Sequence, residues 1–596
     1  MSAETANNLV SMFFEQADRL GDKPVVWAKP QRGAAYESQS WREIGNQVAR
    51  LAKALKDLGI VSGDRVALVS ESRPEWLISD LAIMAAGAIT VPTYITNTPR
   101  DHEHILDDSG AKGAIVSTAR LAQDLLPAAH ESDHLDFVIA MEAPKRDQSL
   151  NVDIHLWDDV MLASQGKTGD VLEAMETVGR DDIACLIYTS GTGGAPKGVM
   201  ISHGAILHNA EGATEVIEEL GIENEVFLSF LPLSHAYEHT GGMYLPLSIG
   251  AEIYYAEGLD KLAANMEEAK PTIMTVVPRL FEMLRLRVTR SIEEQGGVRA
   301  KLFHRALALG EKRFNDPSSL GLGERITDKV LDQLVRKKVQ QRFGGRIKAL
   351  VSGGAPLNPD VGMFFHALGL RLLQGYGQTE SGPVASVNRP NLVKMHTVGP
   401  ALKNTEIKIA EDGEILLRGE LVMKGYWNDP EATAQALQNG WLHTGDIGVL
   451  DEDGHLQITD RKKDILVNDK GDNVSPARVE GLLTLEPEIA QAMVYGDRKP
   501  HMVALIVPDA DWLSAWAKEN GKEQDLNALT DDADLRKALD GVVARVNKRL
   551  SNIEKIRRFA LASEPFSIEN EQMTPKMSIR RHVIGAAYGE ALEALY

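Results

Sequence analysis

The chain has 596 residues, 43% hydrophobic and 25% charged, with 64 Lys and Arg against 85 Asp and Glu and a net charge of −21. This excludes a fibrous or disordered chain and suffices for about three to five packing units. The acidic balance argues against a nucleic-acid partner, because such proteins gather Lys and Arg to displace phosphate counterions.

Residues 1–23 are polar and mixed in charge, with no basic start followed by an apolar run, so nothing marks the chain for export. Ser40 and Glu43 form a capping-box pattern, and Ile44, Val48, Leu51, Leu55 and Leu58 recur at helical spacing toward Gly59. The β-branched run 65–70 predicts a strand, 74–87 a helix, and 114–117 and 137–141 further strands, an alternation that implies α/β architecture. The most apolar run, 81–91, is too short for a membrane span of about 20 residues. Residues 166–182 are polar and read as a surface connection. They lead into the apolar strand candidate 183–188, which contains the single cysteine; Cys185 is predicted to be a buried thiol in a reducing, cytoplasmic setting. Residues 285–346 turn to charged helical material, in which Val330, Leu334 and Val335 stand beside Arg336, Lys337, Lys338 and Arg342. A solvated helix face is the plain reading there, with a peripheral contact to anionic lipid at the inner membrane face as the alternative. From Glu406 the strands shorten around Asp412-Gly413 and Asp453-Gly454, predicting a small β-rich unit, and beyond Asp460 a further strand and helix alternation has the size of a separate small domain.

Residues 188–198 read Y-T-S-G-T-G-G-A-P-K-G. Glycines let backbone N–H groups approach a polyanion, hydroxyls add donors and lysine adds a point charge, so Thr189, Ser190, Gly191, Thr192, Gly193 and Lys197 compose a triphosphate cradle. The Walker pattern fails because Gly198 follows the lysine, and the dinucleotide pattern fails because Pro196 stands where its third glycine belongs. Two more loops follow apolar runs: Ser352-Gly353-Gly354-Ala355-Pro356, and Gln374-Gly375-Tyr376-Gly377-Gln378-Thr379-Glu380. In α/β sheets ligands bind at such strand ends. Tyr376 is suited to stacking on a base, Thr379 to a phosphate oxygen, and Glu380 to a hard cation such as Mg²⁺. His443-Thr444-Gly445-Asp446 supplies a carboxylate for two ribose hydroxyls, and Asp460-Arg461-Lys462-Lys463-Asp464 follows it.

Taken in order, the four motifs Tyr188–Gly198, Gly375–Glu380, Thr444–Asp446 and Asp460–Asp464 resemble the adenylate-forming superfamily of acyl-CoA synthetases, adenylation domains and luciferases. The resemblance implies a large α/β N-terminal domain with a small β-rich unit over 1–459, hinged at Asp460 to a mobile α+β domain over 460–596. Within the superfamily the chain is most similar to bacterial long-chain fatty acyl-CoA synthetases, through L-P-L-S-H-x-x-E at 231–238, V-P-R-x-x-E at 277–282 and the helical insert after Arg285. The implied chemistry is activation of a fatty acid by Mg·ATP to acyl-adenylate with pyrophosphate release, followed by transfer to CoA. Thr189, Lys197, Thr379, Glu380 and Lys576 would act on the reacting groups, with Thr189 and Glu380 toward the metal and His235 as a gate beside the carboxylate. Ser190, Gly191, Thr192, Gly193, Gly354, Ala355, Pro356, Gln374, Gly375, Tyr376, Gly377, Asp446, Ile458 and Arg461 would bind the nucleotide. A homodimer is compatible with this reading, being common among relatives.

Three positions depart from the family pattern. Gly193 stands in place of a second threonine in the phosphate loop, Lys470 occupies one position of a glycine pair beside the pantetheine path, and Ser578 takes the place of the C-terminal loop lysine, with Lys576 two residues earlier. The last motivates one alternative, a nucleotide-binding homologue impaired in adenylation; a separate alternative is an acyl-AMP ligase that delivers to a carrier protein.

Overall fold

The structure, a computed structural model, describes residues 5–145, 150–189, 195–470, 472–567, 569–573 and 579–596. The capping box forms: Ser40 Oγ accepts the Glu43 N–H and the Glu43 carboxylate accepts the Ser40 N–H, starting the helix Trp41–Asp57. That helix buries Ile44, Val48, Leu51 and Leu55.

Two eight-stranded sheets organise the N-terminal domain. One runs Ser386–Val387, Leu372–Tyr376, Ala349–Ser352, Ile273–Val276, Val226–Ser229, Glu252–Tyr255, Pro24–Ala28, Glu37–Ser40 and is parallel except at its two edges. The other runs Gly425–Tyr426, Lys197–Ser202, Ile183–Thr189, Ile89–Thr93, Arg65–Val69, Gly113–Val116, Phe137–Ala140, Asp153–Leu156. The central strands of both are buried on both faces, as parallel sheets covered by helices must be, and the helix Pro74–Ala85 between them is buried along its whole length. The apolar run flagged in the sequence is therefore core. Cys185 is buried, as expected. Among the described residues no helix is long and apolar enough to cross a membrane.

One expectation is corrected. Within 166–182 the chain forms a helix, Thr168–Met175, that buries Val171 and Met175 under the first helices. Two apolar positions a turn apart are enough to seat an eight-residue helix but too few to show a period.

The small β-rich unit carries Glu406–Ile409, Glu414–Arg418, Leu437–Gln438, Trp441–Leu450 and Leu456–Arg461 in antiparallel pairing. Beyond it lie a short hairpin, Leu466–Val467 with Asn473–Val474, and a three-stranded sheet, Ile489–Tyr495, Met502–Pro508 and Ile556–Leu561, with its own apolar core. The architecture is a large α/β domain with a β-rich unit, followed by a small C-terminal domain.

Candidate nucleotide and acyl site

The antiparallel pair Ile183–Thr189 and Lys197–Ser202 brings Thr189 opposite Lys197 at the mouth of the loop between them. Ser190, Gly191, Thr192 and Gly193 lie outside the described residues. The loop's shoulders are pinned: Tyr188 OH donates to Asp108 Oδ2 (2.6 Å), and the His104 ring meets Pro196 O at 2.8 Å. Lys197 is exposed; its ammonium pairs with Asp429 (3.0 Å) and lies 5.3 Å from the centre of the Tyr426 ring. Tyr426 OH in turn donates to Glu380 Oε1 at 2.9 Å. The phosphate-loop lysine and the Glu380 carboxylate are thus linked through Tyr426, and Asp429 holds the lysine from the other side; sequence reasoning missed both. Tyr426 reaches them because Gly425–Tyr426 extends the second sheet beyond Lys197–Ser202. Asp429 is fixed as the N-cap of the helix Pro430–Ala436. An aromatic followed by an Asp-Pro cap is the only local signal.

Thr379 and Glu380 sit in a short turn after Leu372–Tyr376, where Met423 N–H donates to Glu380 O. Gly377 has no room for a side chain, since a Cβ there would stand 1.9 Å from Pro383 O. Gln374 pairs in register with Ser352, beside Gly375. Gly354, with φ of +80°, Ala355 and Pro356 lie exposed just past Ala349–Ser352. Tyr376 is buried and donates through its hydroxyl to Asp446 Oδ2 (2.7 Å), while Arg461 Nε donates to Asp446 Oδ1 (3.2 Å). Burial raises the Asp446 pKa, and Arg461 and Tyr376 oppose that rise. Ile458, half-buried one strand away, packs against the main core. Tyr376, Asp446, Ile458 and Arg461 therefore share one corner, although 85 positions of chain separate the ends of that set.

His235 caps the following turn, its Nδ1 accepting the Tyr237 N–H at 3.1 Å. The Tyr94 ring lies 6.5 Å away. Tyr94 OH, Ser234 Oγ and Ser352 Oγ are buried without a hydrogen-bond partner among the described residues. Buried polar groups in folded proteins are nearly always satisfied, so unpaired hydroxyls beside His235 and at the strand end Ser352 leave hydrogen-bonding capacity that a polar ligand can use. Glu238 of the same motif faces inward instead: wholly buried, it accepts from Ser229 Oγ (2.6 Å) and Thr275 Oγ1, and burial pushes its pKa up to about 7.

Glu380 suits a magnesium ion. Its carboxylate makes no ion pair among the described residues, and Mg²⁺ is commonly held by one carboxylate together with substrate phosphates and water. Lys576 and Ser578 lie outside the described residues. Lys470 is exposed in the hairpin after Asp460, its N–H donating to Asn468 Oδ1.

The family described as AMP-binding enzyme matches residues 13–427, and the AMP-binding enzyme C-terminal domain matches 463–596. Long-chain-fatty-acid–CoA ligase FadD15 of Mycobacterium tuberculosis is 33% identical, with 99% of this chain and 97% of that protein aligned. Long chain acyl-CoA synthetase 3 of Arabidopsis thaliana is 28% identical over 97% of this chain and 89% of its own length. Among solved structures, the adenylation domain of a carboxylate reductase from Mycobacterium chelonae superposes with a TM-score of 0.76 at 21% identity, covering 99% of this chain and 91% of that one. ATP-bound MatB from Rhodopseudomonas palustris does so at 0.68 and 21%, covering 99% and 100%.

Proposed function

The chain belongs to the AMP-binding, adenylate-forming superfamily as an acid–thiol ligase, and we propose that its acid is a long-chain fatty acid and its thiol acceptor CoA. The observation that carries the acyl class is the alignment along nearly the whole chain with a protein named as a long-chain fatty acid ligase, helical insert included.

In the first step the fatty carboxylate attacks the α-phosphorus of ATP, and the bond to the β,γ-diphosphate breaks with release of pyrophosphate. Charge builds on the phosphate oxygens, and fixed donors placed there lower the barrier. Lys197 exchanges Asp429 for phosphate, Thr189 and Thr379 supply hydroxyls, and Glu380 with the triphosphate holds Mg²⁺, which supplies charge neutralisation when bound. Ser190, Gly191, Thr192 and Gly193 complete the cradle, and Lys576 reaches the carboxylate side. Gly354, Ala355, Pro356, Gln374, Gly375, Tyr376, Gly377 and Ile458 wall the base, and Asp446 with Arg461 takes the ribose. In the second step the CoA sulfur attacks the acyl carbon, and AMP leaves with the electrons of the anhydride bond. We take Asp460, at the end of Leu456–Arg461 with its pKa raised by burial, as the pivot on which residues 460–596 turn between the two steps. ATP and CoA are water-soluble, which suits the cytoplasmic setting expected from the sequence.

The test is hydroxamate formation from ATP, hydroxylamine and acids of graded chain length, followed by thioester formation with CoA. Preference for long-chain acids with CoA thioester as product supports the reading. A short or aromatic acid as best substrate refutes the acyl class. Hydroxamate without CoA thioester identifies a carrier-directed ligase, and ATP binding without hydroxamate identifies an impaired homologue.

A further inference from the structure

Tyr426 touches two oppositely charged groups of the nucleotide site at once. Its hydroxyl donates to Glu380 Oε1 at 2.9 Å, and the Lys197 ammonium lies 5.3 Å from the centre of its ring. The backbone that carries it is held from several sides. Tyr426 pairs in register with Val199, and its N–H donates to Thr433 Oγ1 (2.9 Å). The next residue, Trp427, donates from its N–H to Gly198 O (2.7 Å) and from its indole to Asp108 O (3.0 Å). Glu380 is tied to the same strip of chain, because Met423 N–H donates to Glu380 O at 2.9 Å. The Tyr426 ring is therefore a fixed element between two side chains on flexible stems.

The hydroxyl has one partner among the described residues, Glu380. A phenol keeps its proton at neutral pH, so toward a carboxylate it acts as the donor. The Lys197 contact needs only the face of the ring, which phenylalanine would supply as well; the hydroxyl serves Glu380 alone. With Oε1 engaged, Glu380 Oε2 has no hydrogen bond or ion pair among the described residues. One oxygen of the carboxylate is thus anchored and the other is open to a cation. Lys197 is drawn the opposite way, toward Asp429 (3.0 Å), and among the described residues it forms no ion pair with Glu380. A lysine and a glutamate with nothing between them would pair, and each would lose the charge it offers to phosphate or metal.

We propose that Tyr426 is a positioning residue of the nucleotide site, an inference that rests on reading Glu380 as the magnesium carboxylate. Its hydroxyl presents Glu380 to the magnesium ion that accompanies ATP, and its ring keeps Lys197 apart from Glu380, so that the lysine stays available to phosphate. A hydrogen bond to one oxygen holds the carboxylate in a single orientation before the metal arrives, and partners of this kind tune metal affinity by aiming the ligand. Mg²⁺ demands near-ideal octahedral geometry, which makes it sensitive to the aim of one carboxylate. Removal of the hydroxyl therefore weakens the metal-dependent part of nucleotide binding and spares the metal-free part. Removal of the whole ring weakens both, because Lys197 then falls onto Glu380.

Calorimetric titration of the full chain with α,β-methylene-ATP, in excess Mg²⁺ and again in EDTA, separates the two parts. The ratio of the two Kd values measures what the metal contributes to binding. Tyr426→Phe keeps the ring and its packing; it is expected to shrink that ratio about five- to tenfold, the loss of one charge-assisted hydrogen bond acting through a second residue, with the Kd in EDTA and the melting temperature unchanged. Tyr426→Ala should in addition raise the Kd in EDTA by about two- to fivefold. Glu380→Gln should remove most of the ratio, and in that background Tyr426→Phe should shrink it no further, because residues that act through one another are not additive. A wild-type ratio in Tyr426→Phe overturns the proposal. So does a Kd in EDTA that rises as much as the Kd in magnesium, or a full effect of Tyr426→Phe on top of Glu380→Gln. A Glu380→Gln protein with the wild-type ratio removes Glu380 as the metal carboxylate and Tyr426 with it, whereas a ratio lost in Glu380→Gln and intact in Tyr426→Phe removes the role of Tyr426 alone.

Discussion

Glu238 offers a measurement of what the L-P-L-S-H-x-x-E motif costs the fold. Its carboxylate is wholly buried, accepts two hydroxyl hydrogen bonds, and has a pKa lifted by burial from an ordinary 4.5 to about 7. The folded state thus holds a proton that the unfolded state releases more easily. As pH rises from about 4.5 through 7 the unfolded chain loses this proton first, so the contribution of Glu238 to stability falls across that window and stays low above it. The interval corresponds to about 3 kcal/mol lost between the two ends. Glu238→Gln has nearly the same volume and no proton to lose, and its amide can meet both hydroxyls once Thr275 rotates to accept. Urea unfolding of wild type and variant at pH 5 and pH 8 isolates the effect, because every other titrating group cancels in the difference of differences. The variant should gain on wild type by about 2–3 kcal/mol on going from pH 5 to pH 8. A relative change below about 1 kcal/mol, or one of the opposite sign, would refute the reasoning, since it would mean that Ser229 and Thr275 stabilise the anion enough to cancel its desolvation.

Four further outcomes follow from the site. Asp446→Ala should leave the buried Tyr376 hydroxyl without its acceptor, costing about 1–3 kcal/mol of stability, and should weaken AMP binding measured by calorimetric titration. Lys197→Ala should slow pyrophosphate release on the order of 10²–10³ with little change in melting temperature, because the side chain is exposed and its partner Asp429 remains capped into its own helix. Gly377→Ala should lower both stability and folding yield, by about 1–3 kcal/mol or more, because its Cβ would lie 1.9 Å from Pro383 O, a backbone atom that cannot step aside. Ser578→Lys should accelerate acyl-adenylate formation and Lys576→Ala should slow it, both read from pyrophosphate release; no change in either removes both residues from the first half-reaction.

What was legible in the sequence is what is local. The capping box at Ser40 and Glu43 and the apolar runs 183–188, 347–351 and 370–373 depend on neighbours within a few residues; the box forms, and the runs lie in or beside the strands Ile183–Thr189, Ala349–Ser352 and Leu372–Tyr376. The Tyr376 to Asp446 bond joins residues 70 positions apart, and Tyr426 reaches Glu380 only because a two-residue strand adds to the edge of the other sheet. No periodicity announces a contact made by sheet order. Glu238 shows the converse limit: the motif containing it was readable, while its carboxylate is held inward by Ser229 and Thr275, on two different strands.

The net charge of −21 sets the remaining problem, since ATP, CoA and a carboxylate are all anions. Most cations near the joint between the domains are already committed. Arg461 bonds Asp446, Lys462 is shared by Asp412 and Glu414, and Arg581 makes a paired contact with Glu480 at 2.6 Å. The domain that brings Lys576 is itself lightly held. Its contacts with the large domain include the exposed ion pairs of Arg290 with Asp511 and Arg549 with Asp360, one bond from Arg279 to Ala490 O, and Leu485 against the cluster around Phe281 and Phe364. Exposed pairs of this kind contribute about 0.2–1 kcal/mol each. The docked pose therefore lies within a few kcal/mol of others, a gap that differential binding of ATP or CoA can reverse. On the proposed two-step reading, a weak interface is what lets the C-terminal domain turn so that one pocket serves two half-reactions.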